Sequence, residues 1–290
     1  MLDQVLAIVF PIFAIVAVGY GYARRRPTDM SVGNHLNISV FTPALILSVM
    51  AGKDFQLAAY QDLAVAAAAV VLGSGLIAWP LARLAGWPIR TFVPPMMFSN
   101  SGNMGLPLAF FAFGEAALPA AVVLFLVENL LHFTVGNAML EGRVHPLALL
   151  RMPMLLATAL GLAVSLGQVP VWAPLHQAVD LLGQIAIPLM LFSLGVRMTG
   201  MNLGDWRIGL TGALLCPASG ILAALVAAEL LGLRGQSWQL LMLFGALPPA
   251  VLNFIVAEKF HQQPQQVAAV VLFGNLASVL LIPLVLAWVL

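Results

Sequence analysis

The chain has 290 residues, 62% hydrophobic and 8% charged, with a mean hydropathy of +1.02. A soluble domain carries about 25% charged residues, so this composition excludes an ordinary water-soluble globule and points to an all-α polytopic membrane protein. A formal net charge of +1 leaves no basic tract for nucleic acid, and the single cysteine, Cys216, excludes a disulfide framework.

In chain order, runs of roughly 20 apolar residues bounded by charges or turn residues predict ten spans. They fall near 4–23, 35–51, 57–84, 89–113, 117–140, 150–169, 174–197, 207–232, 237–259 and 266–289. No basic stretch precedes the first run and Arg24-Arg25-Arg26 follows it, the pattern of a retained span rather than a cleaved leader. The second span carries Pro43 and Ser48, and Asp62 lies near the outer end of the third. The fourth is interrupted by Pro94-Pro95 and continues into Ser99-Asn100-Ser101-Gly102-Asn103-Met104-Gly105-Leu106-Pro107. About midway along the fifth stand Glu128 and His132, four residues apart and so on one helix face. The seventh contains Asp180, Pro188 and Ser193, and the ninth contains Pro248-Pro249 followed by Asn253.

With the amino terminus outside, Arg24, Arg25, Arg26, Arg83, Arg90, Arg143, Arg151, Arg197, Arg207 and Lys259 fall at cytoplasmic ends. Only Lys53 and Arg234 fall outside. The positive-inside rule therefore predicts both termini on the outer side of the cell inner (cytoplasmic) membrane. This topology leaves no Lys or Arg deep in a span.

The two halves also resemble each other. Pro43 precedes Ser48 by five residues, as Pro188 precedes Ser193. Aligning Pro94-Pro95 with Pro248-Pro249 sets Ser99 opposite Asn253, and Val122-Val123-Leu124-Phe125 recurs as Val270-Val271-Leu272-Phe273. The pattern predicts two five-helix repeats, residues 1–140 and 150–290, joined by a cytoplasmic connection over 141–149. Five is odd, so the repeats are inverted, an architecture that puts a transporter's site at the repeat interface near the bilayer midplane.

Proline inside a helix removes a backbone hydrogen bond, and membrane proteins tolerate such breaks where the freed backbone lines a cavity or is buried in protein. Pro94, Pro95, Pro248 and Pro249 are thus expected to break the fourth and ninth spans. The half-helix starts would direct N–H groups at an anion. Ser99, Asn100, Ser101, Asn103 and Asn253 are the candidate substrate-binding residues, the asparagines because each amide can donate two hydrogen bonds to a carboxylate. The alternative is that the prolines are plain kinks and these polar side chains join helices. Intramembrane carboxylates and histidines are candidates for proton relays, which singles out Glu128, His132 and Asp180; the structural alternative for the first is a Glu128–His132 hydrogen bond. No cofactor and no metal site is expected: the histidines lack ligand spacing, and no phosphate loop, dinucleotide fingerprint or nucleophile elbow occurs.

The run Ser99 to Leu108, with Pro248-Pro249 and Ala257-Glu258-Lys259-Phe260, resembles the auxin efflux carrier family over essentially the whole chain. That resemblance implies the fold of bile acid:sodium symporters, in which the fourth and ninth helices unwind and cross, and an elevator-like motion. It places the family's crossover asparagine on Asn100 and the second crossover on Pro248 to Asn253. Plant members carry a second proline where this chain has Asn253, and a long central loop that it lacks. These departures point to a compact bacterial-type member.

The expectation is a secondary active transporter, not an enzyme, that exports a small organic anion: a mono- or dicarboxylate or an auxin-like acid. Its partners would be the lipid bilayer and a coupling proton or sodium ion, with homodimerisation as in other family members. The alternatives are a sodium-coupled organic anion symporter and an uncoupled facilitator or sensor.

Overall fold

The computed structural model describes residues 2–52, 57–142, 151–200 and 204–290. Lys53, Arg143 and most of the expected 141–149 connection lie outside the described residues. In lipid every backbone N–H and C=O needs a partner within the protein, and helices supply it locally. Among the described residues the regular structure is accordingly helical, apart from one isolated antiparallel bridge between Ser99 and Pro249.

The helices are α1 Leu2–Arg25, α2 Ser31–Met50, α3 Gln61–Leu84, α4 Ile89–Met97, α5 Leu106–Phe113, α6 Glu115–Glu141, α7 Pro153–Leu166, α8 Ala173–Arg197, α9 Trp206–Leu230, α10 Gly235–Gly245, α11 Leu252–Lys259 and α12 Pro264–Val289. Seven of these, α1, α2, α3, α6, α8, α9 and α12, are long and apolar enough to cross a membrane, so the chain is a multi-pass membrane protein. At 14 residues α7 is about 21 Å long, short of a ~30 Å hydrocarbon core. The other two expected spans each form two pieces, α4 with α5 and α10 with α11.

The prolines act differently in the two broken segments. Pro248 and Pro249 stand in the non-helical stretch between α10 and α11. Pro94 and Pro95 instead lie inside α4, and the chain leaves the helix only at Phe98, whose N–H still bonds the Pro94 carbonyl at 2.9 Å. A proline lacks its own N–H donor but keeps its carbonyl as an acceptor, so the helix can run on for one more turn.

The helices form two groups. One is α1, α2, α7 and α8; the other contains α3, α4, α6, α9, α10 and α12. Gly19 of α1 faces the Phe192 backbone and Gly195 of α8 faces the backbone of Val16 and Tyr20, leaving no room for a methyl at either position. Such small residues let membrane helices approach closely. The groups meet where α1 touches α5 and α12, and where the turn Ser101–Gly105 touches α8.

Candidate functional site

Between α4 and α5, Phe98, Ser99 and Asn100 are non-helical, as are Leu247 to Ala250 between α10 and α11. The two breaks pair with each other. Asn100 N–H donates to the Pro248 carbonyl at 2.7 Å, and Ala250 N–H donates to the Phe98 carbonyl at 3.0 Å. Backbone groups released by each broken helix are thereby satisfied by the other, which is what burial at membrane depth requires. Gly274 of α12 makes room for this pairing, since a methyl there would run into the Pro249 ring.

Three side-chain amides tie the breaks down. Asn253 Nδ2 donates to the carbonyls of Phe98 at 2.8 Å and Ala250 at 3.0 Å. Both partners are acceptors, which fixes the amide's orientation and engages both its donors. Asn253 Oδ1 is buried without a hydrogen-bond partner among the described residues. From α12, Asn275 accepts from Asn100 Nδ2 at 3.0 Å and donates to the carbonyls of Pro249 at 3.1 Å and Val271 at 2.8 Å. Asn100, Asn253 and Asn275 are all buried.

One side of the breaks opens into a cavity of about 180 Å³. Ser99, Asn100, Ser101 and Asn103 line it, as do Glu128 and His132 of α6. Ser99 Oγ donates to Glu128 Oε2 at 3.1 Å. The His132 backbone N–H bonds the Glu128 carbonyl within α6, but among the described residues its ring makes no hydrogen bond to the Glu128 carboxyl; the ring stacks on Phe98 with centroids 4.1 Å apart and planes 7° from parallel. Asn37, Thr42, Met190 and Arg197 form the wall contributed by α2 and α8. Three π-helical turns, Asn37–Phe41, Ser101–Gly105 and His132–Gly136, each place residues on this cavity. π turns concentrate at functional positions because they re-aim side chains within a helix.

The structure thus gathers six of the eight candidate site residues around one space and sets the other two apart. Asn253 is not on the cavity wall and works on the breaks from behind, with its donors already engaged. Asp180 accepts from Ser48 Oγ at 2.9 Å and Gln184 Nε2 at 2.8 Å, and lines a separate cleft near the start of α8. Two residues were not picked out as site candidates from the sequence. Overlaying Val122–Phe125 on Val270–Phe273 puts Asn275 one residue short of the counterpart of Glu128, a signal that was there to be read. Arg197, assigned from sequence to a cytoplasmic end, does end α8, yet it is partly buried and lines the cavity.

A wider cleft of about 940 Å³ borders this cavity, and Asn34, Arg197 and Val251 line both. It lies at the Arg197 end of α8, while the Asp180 cleft lies toward the other end and shares no lining residue with the cavity.

Residues 142–286, half of the chain, match the family model described as "Membrane transport protein". The chain is also 26% identical over 303 residues to the protein named "Putative malonate transporter" from Rhizobium meliloti (strain 1021), an alignment that covers 95% of this chain and 93% of that protein. Taken with the full-length motif resemblance, these matches place the chain in the auxin efflux carrier family of membrane transport proteins.

Proposed function

We propose that this protein is a secondary active exporter of a small organic anion in the cell inner membrane, with its site where the two broken helices meet. The carrying observation is the break-to-break pairing beside a cavity whose wall includes Ser99, Asn100, Ser101 and Asn103. Helix resumes at Ser101, so N–H groups of its first turn have no preceding helical carbonyl and present positive partial charge. An anion seated there would accept hydrogen bonds from these N–H groups. The name of the Rhizobium relative fits an organic anion as cargo. At about 180 Å³ the cavity is below the ~300–1,000 Å³ of drug-sized ligand sites, which favours a compact acid over an indole-bearing one.

Ten spans in two inverted repeats, with crossing helices in the fourth and ninth, underlie this reading. Support comes from hydrogen bonds that come in reciprocal pairs. Ser48 of α2 bonds Asp180 of α8, and Ser193 of α8 bonds Asn34 of α2 at 2.6 Å. Ser48 and Ser193 are counterparts 145 residues apart, and Asn34 and Asp180 are 146 apart. Packing repeats likewise: α1 lies on α8 as α2 lies on α7. The family match from residue 142 onward starts close to the expected second repeat at 150.

In the same reading both termini face outward and the Arg197 cleft faces the cytoplasm, so the cavity is in its inward-accessible state. Transport then proceeds by an elevator motion of the group holding the breaks against the α1, α2, α7 and α8 group. Glu128, bonded to Ser99 at the break, is the proton carrier that couples the cycle. One observation favours a sodium-coupled alternative: the buried, unpartnered Asn253 Oδ1 is an acceptor suited to a cation. Malonate counterflow in proteoliposomes tests the reading. Asn100→Ala is expected to abolish it while the protein elutes unchanged on size exclusion, and full retention of counterflow overturns the site. Dependence on added sodium in place of a proton gradient selects the alternative.

A further inference from the structure

Arg197 has a position that the anion site at the breaks does not explain. It is the last residue of α8, partly buried, and sits where the 180 Å³ cavity meets the 940 Å³ cleft. The Arg197 guanidinium makes no hydrogen bond or ion pair among the described residues. Asp29 and Asp205 line the outer cleft beside it, but neither comes within ion-pairing distance of Arg197. Asp29 is turned to Ser31, accepting from its N–H at 2.8 Å and its Oγ at 2.7 Å. Glu128, the carboxyl on the cavity wall, bonds Ser99. Partial burial strips some of the guanidinium's hydration, which an acceptor in the cavity would replace. Its five donors form a planar fork that matches a carboxylate.

Across the cavity the turn Ser101–Gly105 offers the first place for an anion. The two places stand on different segments, Arg197 at the end of α8 and the turn between α4 and α5. Two donor sets on one cavity suit an anion that carries two negative groups. We infer that Arg197 is a second anion anchor of this site, holding the far carboxylate of a small dicarboxylate whose near carboxylate lies at the Ser101–Asn103 turn. The inference rests on the small-anion reading above and narrows it: the cargo carries two carboxylates, and Arg197 selects for the second. Asn37, buried in the same wall, has an Oδ1 without a hydrogen-bond partner among the described residues.

Malonate and its monoamide, malonamate, differ by one carboxylate at nearly constant shape, so calorimetric titration of the full chain in detergent with each isolates the second charge. Wild-type protein is expected to bind malonate about 10- to 100-fold more tightly than malonamate, the value of a hydrogen-bonded charge pair. Arg197→Gln should bring malonate down to the malonamate level and leave malonamate within about twofold. If Arg197 is instead a structural residue, or a counter-charge for Glu128, the variant weakens both ligands alike, and the inference is overturned. Equal wild-type affinities for the two compounds overturn it as well, while leaving the small-anion reading intact. A wild-type protein that binds neither compound overturns both readings. Should Arg197→Gln not fold, Arg197→Lys carries the test: it keeps the charge but loses the fork, so the malonate preference is expected to fall severalfold, and an unchanged preference refutes the anchor.

Discussion

Asn275→Ala removes a side chain that holds both breaks from a third helix. Two of its bonds reach the breaks directly, the one accepted from Asn100 Nδ2 at 3.0 Å and the one donated to the Pro249 carbonyl at 3.1 Å. The third, to the Val271 carbonyl, lies within its own helix, and that carbonyl keeps a helical partner. Hydrogen bonds inside membrane proteins average about 0.6 kcal/mol, which gives a floor near 1.2 kcal/mol for two. Leaving a buried donor and a buried acceptor unpaired costs about 1–3 kcal/mol each, an upper range of about 2–6 kcal/mol. The Asn100 side chain borders the cavity, where water can relieve part of that cost, so about 2 kcal/mol is expected. This corresponds to roughly thirtyfold in the folded-to-unfolded ratio. Unfolding followed by circular dichroism in mixed micelles measures it, with a double-mutant cycle against Asn100→Ala. Because the two amides share one bond, the double variant should be less destabilised than the sum of the single ones, with a coupling of about 0.5 kcal/mol or more. Strict additivity, or an Asn275→Ala protein as stable as wild type, would refute the claim that Asn275 ties the breaks.

Glu128→Gln keeps a hydrogen-bonding group opposite Ser99 but cannot carry a proton, so transport should lose its pH dependence while the protein still folds; unchanged pH dependence excludes Glu128 as carrier. Asp180→Asn is expected to leave both transport and its pH profile intact, since Asp180 lies in another cleft and an amide oxygen can still accept from Ser48; a lost pH response would return Asp180 to the coupling path. Gly274→Val drives a branched side chain into the Pro249 ring and should cost about 1–3 kcal/mol or more with loss of transport, whereas wild-type behaviour would mean that the breaks need no close approach there.

Much of this organisation is local and so legible in the chain. Hydropathy is additive along a segment, which is why composition alone announces a multi-pass membrane protein. A polar, glycine-rich stretch such as Ser99 to Gly105 cannot continue an apolar helix, and Glu128 and His132 share a face by the helical period alone. The double prolines marked the two segments that break, but in the first of them the break falls three residues beyond Pro95.

Partners across the fold are a different matter. Asn253 looks from the sequence like a ligand donor, and folding turns its two donors onto carbonyls, one of them 155 residues away. Asn275 was one polar residue in a long apolar helix until the packing of α12 set it against Pro249 and Asn100. Arg197 reads as a topology marker at a helix end, and only the meeting of α2, α8 and the Ser101–Gly105 turn makes it a wall of the cavity. Sequence thus determined that the chain is a multi-pass membrane protein and marked the two segments that break, since these depend on the chemistry of neighbouring residues. Tertiary structure decided what each buried polar group bonds to, because in a water-poor interior that choice is made among whatever donors and acceptors distant helices bring within about 3 Å.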